Sequence, residues 1–182
     1  MDMPRTNMPL PTHIHSMGEY SGAASAFTLA SVSLVSYNWP AQELAVYIPM
    51  AIPFDYPIAR IFVANGSAAG GNWDFGIYTL GGGKIFSSGE FAASGNSQCQ
   101  YQDVTDFILS AGAYYFGLEN DSATTTNRAW GNTGVTANEG RLGGLLQEAL
   151  GSGNALKQTA TFAQWANTGW PLCGITRTAS GF

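Results

Sequence analysis

Charge is what this sequence has least of. Asp, Glu, Lys and Arg make up 10% of its 182 residues, where an ordinary soluble domain carries about a quarter. The seven Lys and Arg residues form no stripe, and the net charge is −5. Both facts argue against nucleic acid, because phosphate recognition needs clustered cations. No window is apolar for long enough to span a bilayer, so no membrane partner is expected. The two cysteines, Cys99 and Cys173, are far apart and form no Cys-x-x-Cys pair, which removes the redox and zinc-ribbon readings. The two histidines, His13 and His15, both lie near the start, and a Ser-His-Asp triad therefore lacks a base in the body of the chain. No Gly-x-Ser-x-Gly elbow occurs. The glycines before Lys84 are not a phosphate loop: Tyr78 stands where the first glycine belongs, and Ile85 follows the lysine where Ser or Thr is required.

The opening stretch, MDMPRTNMPLPTHIH, has prolines where a signal peptide would be apolar. Synthesis in a cytoplasm is the expectation, with both thiols reduced rather than joined. No cofactor is implied. Residues 1–25 show no periodicity and read either as a disordered tail or as an extended arm that orders against a neighbour. Met8, Leu10 and Ile14 are the arm's apolar contacts in the second reading. His13 and His15, at i and i+2, would share one side of an extended chain. Around a trimer axis, three such pairs could ligate one transition metal.

Glycine, at 23 residues, and small polar residues fill the space that charge leaves. The expected fold is all-β, a jelly-roll-like antiparallel sandwich of about eight strands over residues 26–182. The organising stretch is Asn72 to Phe91, read as a β-hairpin. Trp73, Phe75 and Ile77 alternate with Asp74, Gly76 and Tyr78, the period of a two-faced strand. Gly81, Gly82 and Gly83 are expected to supply positive φ at the reversal. Ile85 and Phe86 should pack on the return strand while Glu90 faces water.

Around the hairpin, strands are expected at Phe27–Ser36, Leu44–Ile52, Ile58–Ala64, Cys99–Asp103 and Ala113–Leu118. Pro49 lacks a donor and marks an edge or a bulge. Asp103 to Leu109 reads as a helical turn capped by Asp103 or Thr105. Residues 119–141 form a polar loop around Trp130, long enough to suggest a purpose. Residues 142–150 fit a helix or a strand, and Thr159–Trp165 and Leu172–Thr178 look like closing strands.

Among the carboxylates Asp74, Glu90, Asp103, Asp106, Glu119 and Asp121, no spacing singles out a glycosidase pair. Glu119-Asn120-Asp121 fits a plain turn or a calcium loop. Trp130, Trp165 and Trp170 sit in polar settings, where a ring either packs in the core or meets a partner or a sugar. Trp39 and Trp73 read as core.

The segments GNWDFGIYTLGGGKIFSSGEF and DVTDFILSAGAYYFGLEND resemble β-sandwich structural proteins of tailed-bacteriophage virions. There an aromatic Gly-Ile-Tyr strand, a glycine turn and a Gly-x-Tyr-Tyr-Phe-Gly-Leu strand recur in head-decoration, head-fibre and tail-fibre modules. The resemblance covers roughly Leu44 to Leu118, and the same strand and turn occur in carbohydrate-binding jelly rolls. It implies a non-enzymatic virion protein assembled in the host cytoplasm, most simply a capsid decoration or cement protein. Such a protein would be a homotrimer on the major capsid protein or on neighbouring tail subunits. The alternatives are a tail-fibre module recognising host glycans, with Trp130 in the recognition loop, and a glycan-active enzyme.

Overall fold

The computed structural model describes residues 13–15, 34–130, 144–151, 155–167 and 169–177. Alternating β-branched and aromatic positions build strands throughout them, and they contain no helix. In chain order these are β1 (His13–His15), β2 (Leu34–Asn38), β3 (Leu44–Ile52), β4 (Tyr56–Ala64), β5 (Asn72–Thr79), β6 (Lys84–Ala92) and β7 (Cys99–Leu109). Then follow β8 (Gly112–Asn120), β9 (Thr126–Trp130), β10 (Leu146–Ala149), β11 (Ala163–Gln164), β12 (Trp170–Pro171) and β13 (Cys173–Thr176). The all-β expectation holds. The described strands outnumber the expected eight because several have only two to five residues, too short to show a period.

All described pairings are antiparallel. One sheet runs β11-β10-β3-β8-β5-β6, a second β1-β13-β4-β7, and a third, smaller one β12-β9-β2. The first two face each other. Val46, Ile48, Met50, Trp73, Phe75, Ile77, Phe116 and Leu118 from one sheet meet Ile58, Ile61, Val63, Cys173 and Ile175 from the other in a single buried cluster. Each such side chain contributes about 1.5–3 kcal/mol by leaving water. Trp39 packs edge-on against Trp73 at 5.2 Å, and Trp73 Nε1 donates to Asn65 Oδ1 at 2.8 Å.

The central hairpin forms with Trp73, Phe75 and Ile77 inward, as its alternation predicts. Two details differ from the sequence reading. Gly82 alone of the three turn glycines takes a positive φ, 86°. Ile85 is exposed, whereas Phe86 stacks on Phe107 at 4.9 Å. Asp74 and Tyr78, on the face the alternation left unassigned, are buried as well.

That second burial comes from far along the chain. Residues 155–162 form a strap across the outer face of the six-stranded sheet. Leu150, Leu156 and Ala160 make a second apolar cluster with Ala45, Tyr47 and Tyr78. The Phe162 ring meets Tyr47 at 5.0 Å and Tyr115 at 4.9 Å. Two glycines clear the seat. Gly76 and Gly117 are register partners on β5 and β8. A Cβ on Gly117 would stand 2.8 Å from Tyr78 Cε2, and one on Gly76 would stand 3.2 Å from Leu156 Cδ1.

Other sequence expectations are corrected by pairing. Asp103–Leu109 is not a helical turn but the second half of β7, drawn into the ladder by β4. β4 begins at Tyr56 and takes Pro57, expected in a connection, into the strand. Pro49 lies in β3 opposite Tyr115, and the described pairing with β10 on the other flank covers Leu44–Tyr47. Residues 146–149 are strand rather than helix, because β10 pairs with both β3 and β11. The expected 27–36 strand is described only from Leu34, and residues 27–33 lie outside the described part.

Candidate functional site

Two features of the sandwich have chemistry to offer. The first is its pair of open edges. β1 and β11, the outermost strands on one side, have three and two residues. β6 and β7, outermost at the other ends of the same two sheets, have nine and eleven. A long strand edge presents unpaired N–H and C=O groups and is ready to add another strand. At β6 the strap takes only the first position, where Lys84 N donates to Gln158 O at 2.9 Å. The stacked Phe86 and Phe107 join these two strands, and their chain neighbours Ile85 and Ile108 are 49% and 68% exposed. Leu80, at the hairpin turn, is 57% exposed. Among the described residues, β6 and β7 are thus the outermost long strands of their sheets, and exposed Ile85, Ile108 and Leu80 stand beside exposed Glu90, Asp103 and Asp106.

The second feature lies beneath the strap. Asp74 on β5 and Glu119 on β8 are direct cross-strand partners, which sets their Cβ atoms about 5 Å apart on one face. They are 2% and 1% exposed. Asp74 Oδ2 accepts from Leu156 N at 3.0 Å. Asp74 Oδ1 and Glu119 Oε1 are buried without a hydrogen-bond partner. One neighbouring strand away, Glu148 accepts from Tyr47 Oη and from Lys157 Nζ, each at 2.8 Å. Burial, reinforced by the charges of Asp121, Asp74 and Glu90, pushes the Glu119 carboxyl up to about 9. Burial raises Asp74 too, against the opposing Leu156 amide and Lys84 ammonium. Asp74 also opposes the exposed Glu90 on β6, and the sequence singled out neither pair. The signal for Asp74 with Glu119 was there in register: Asp-x-Gly on β5 opposes Gly-x-Glu on β8, and pairing Gly76 with Gly117 necessarily pairs Asp74 with Glu119. With the strap seated, no substrate reaches either carboxyl.

The sequence-derived candidates fare unevenly. His13, Ile14 and His15 lie on β1, opposite Thr176, Ile175 and Gly174 of their own chain. Met8 and Leu10 lie outside the described residues. No group of three or more metal-ligating side chains is found among the described residues. Trp165 is fully buried and Trp170 is 5% exposed. Both belong to the core cluster, so neither offers a partner surface. Trp130 is not in a loop but ends β9, in register with Leu34 and Trp170. The expected 119–141 loop is therefore shorter at its start, with β9 inside it, and residues 131–143 lie outside the described part.

Nor is Glu119-Asn120-Asp121 an ion loop. Asp121 accepts from Asn72 N and Nδ2 at 2.7 and 2.8 Å, and Asn120 Oδ1 accepts from Ser122 N at 2.8 Å, so these oxygens serve local backbone. Asp103 pairs with Arg60 across the β4–β7 ladder instead of capping a helix. Cys99 is exposed and Cys173 buried, and no disulfide joins them. They oppose Ala64 and Val63 from the two sides of β4.

The fold and these features define an antiparallel β-sandwich protein whose described residues leave β6 and β7 outermost and strap one sheet face. No protein-family model matches the chain, and no curated protein matches it in sequence.

Proposed function

We propose that this chain is a non-enzymatic structural protein of a bacteriophage virion, a capsid decoration or cement protein that binds the shell as a trimer. The observation that carries the reading is that, among the described residues, two long outermost strands meet beside exposed Ile85, Ile108 and Leu80. Large apolar side chains left exposed together along outermost strands are what an assembling protein keeps for its neighbours. The low charge fits the same role, since burying charged groups at interfaces is costly. Many weak copies on a repeating lattice then hold through multivalency. The resemblance of residues 44–118 to virion sandwiches points the same way.

The test is co-sedimentation of the purified chain with capsids lacking it, beside intact host cells. Saturable pelleting with capsids, at a fixed number of copies per particle, is the expected outcome. Pelleting with cells alone would overturn the decoration role in favour of a glycan-binding fibre module. Deleting Met1 to Gly18 removes β1 and its apolar neighbours; the truncated chain should fold and leave the particle. Undiminished particle binding would show that the arm takes no part.

A further inference from the structure

Asn65-Gly66 is the only Asn-Gly pair in the sequence. Such a pair is chemically labile wherever its backbone is free, because glycine has no side chain to hinder attack of its nitrogen on the preceding Cγ. It sits just past the end of β4, and the assembly role does not use it.

Packing requires both members. Trp73 Nε1 donates to Asn65 Oδ1 at 2.8 Å. Asn65 Nδ2 donates to Ser94 O at 2.5 Å and to Gln100 Oε1 at 3.0 Å. Gln100 is not free to turn its amide over. Its Oε1 also accepts from Ser94 N at 2.9 Å, and its Nε2 donates to Ala92 O at 2.7 Å. Position 65 therefore needs one acceptor and two donors in a fully buried place, which a primary amide supplies and a carboxylate does not. At position 66 a Cβ would stand 2.4 Å from Thr126 Oγ1 and 3.0 Å from the Thr126 backbone carbon, so glycine is needed there.

The same contacts block the chemistry. Gly66 N, the nucleophile, donates to Thr126 O at 2.8 Å, and Asn65 N donates to Gln98 O at 2.9 Å. Turning Asn65 Cγ towards Gly66 N would break the three buried side-chain hydrogen bonds of Asn65.

We propose that Asn65-Gly66 is a latent modification site that makes unfolding of this chain one-way: the folded pair is inert, and once the end of β4 opens, Asn65 converts to aspartate or isoaspartate and the chain no longer regains this fold.

The step consumes only water. Gly66 N gives up its proton and bonds to Asn65 Cγ. The Cγ–Nδ2 bond breaks, and ammonia leaves carrying the hydrogen that Gly66 lost. Water then opens the cyclic imide at either carbonyl, giving aspartate or isoaspartate. Neither product refits. Aspartate turns an oxygen towards Ser94 O and Gln100 Oε1, two acceptors, and places a charge in a buried site. Isoaspartate adds a backbone atom between Asn65 N and Gly66 N, which are both bonded to fixed carbonyls. Each opening thus exposes the chain to a loss that refolding does not reverse.

The test uses the full chain at pH 8, either folded in buffer or unfolded in guanidinium chloride. Trypsin isolates Ile61–Lys84, whose only asparagines are Asn65 and Asn72. Deamidation adds about 1 Da to that peptide, and fragmentation places it at position 65. In guanidinium the peptide should shift, and the fraction regaining native tryptophan fluorescence on dilution should fall in step. In the folded chain the rate at Asn65 should be at least about a hundredfold lower, because reaction waits for opening. Unfolded chains held at pH 5, where Gly66 N loses its proton less readily, should keep their mass and refold. A folded-state rate within about tenfold of the unfolded one overturns the protection. Full refolding of chains already shifted at position 65, or an equal loss of refolding at pH 5 without the shift, overturns the one-way step.

Discussion

At the scale of single residues, the least conspicuous side chains do the most. Gly76 and Gly117 stand where a sheet would otherwise put a side chain, and the space they leave admits the Tyr47 and Tyr78 rings and Leu156. Gly117→Ala should cost about 1–3 kcal/mol, an overpacking penalty, measured by urea unfolding. The added methyl falls 2.8 Å from one tyrosine and 3.1 Å from the other, both buried and unable to withdraw. The sequence showed these glycines as strand residues without showing what they clear. The burial of Asp74 and Tyr78 escapes the sequence for the same reason. Period two separates two faces of a strand but does not say whether a segment some eighty residues downstream covers the second one.

Among elements, length and position in the sheet decide more than composition. β7 reads locally as a short strand followed by a helical turn, and its ladder with β4 keeps it extended to Leu109. Tertiary pairing outweighs a local capping preference worth about 1 kcal/mol. The tryptophans carry the same lesson. Trp165 and Trp170 have polar sequence neighbours, yet both are core, because exposure follows from packing across sheets rather than from adjacent residues. At the open edge, Ile85→Lys with Ile108→Lys should leave folding stability within about 0.5 kcal/mol, as surface changes do. On the assembly reading the same double substitution abolishes co-sedimentation with capsids. Retained binding would place the contact elsewhere on the molecule.

For the whole molecule, the buried carboxyls tie stability to pH. Glu119 has an ordinary value of about 4.3 when the chain is unfolded and about 9 when it is folded. Between those values the native state holds a proton that the unfolded state has lost. The contribution of this group is therefore fully present below its unfolded value and is lost as pH rises through its folded one. Asp74, also raised, acts in the same direction. Calorimetry should show a melting temperature that falls from pH 5 to pH 9 in the native chain. Glu119→Gln should melt higher at pH 8 and lose most of that slope. By itself the sequence determined the all-β class, the central hairpin and the shared inward face of Trp73, Phe75 and Ile77. These follow from local period and from which residue types are present. Only the tertiary structure decided that Asp74 pairs in register with Glu119, that a distant strap lies on Asp74 and Tyr78, and that β6 and β7 are the outermost described strands. Those are matters of register and sheet order, and they depend on pairings between residues remote in the chain.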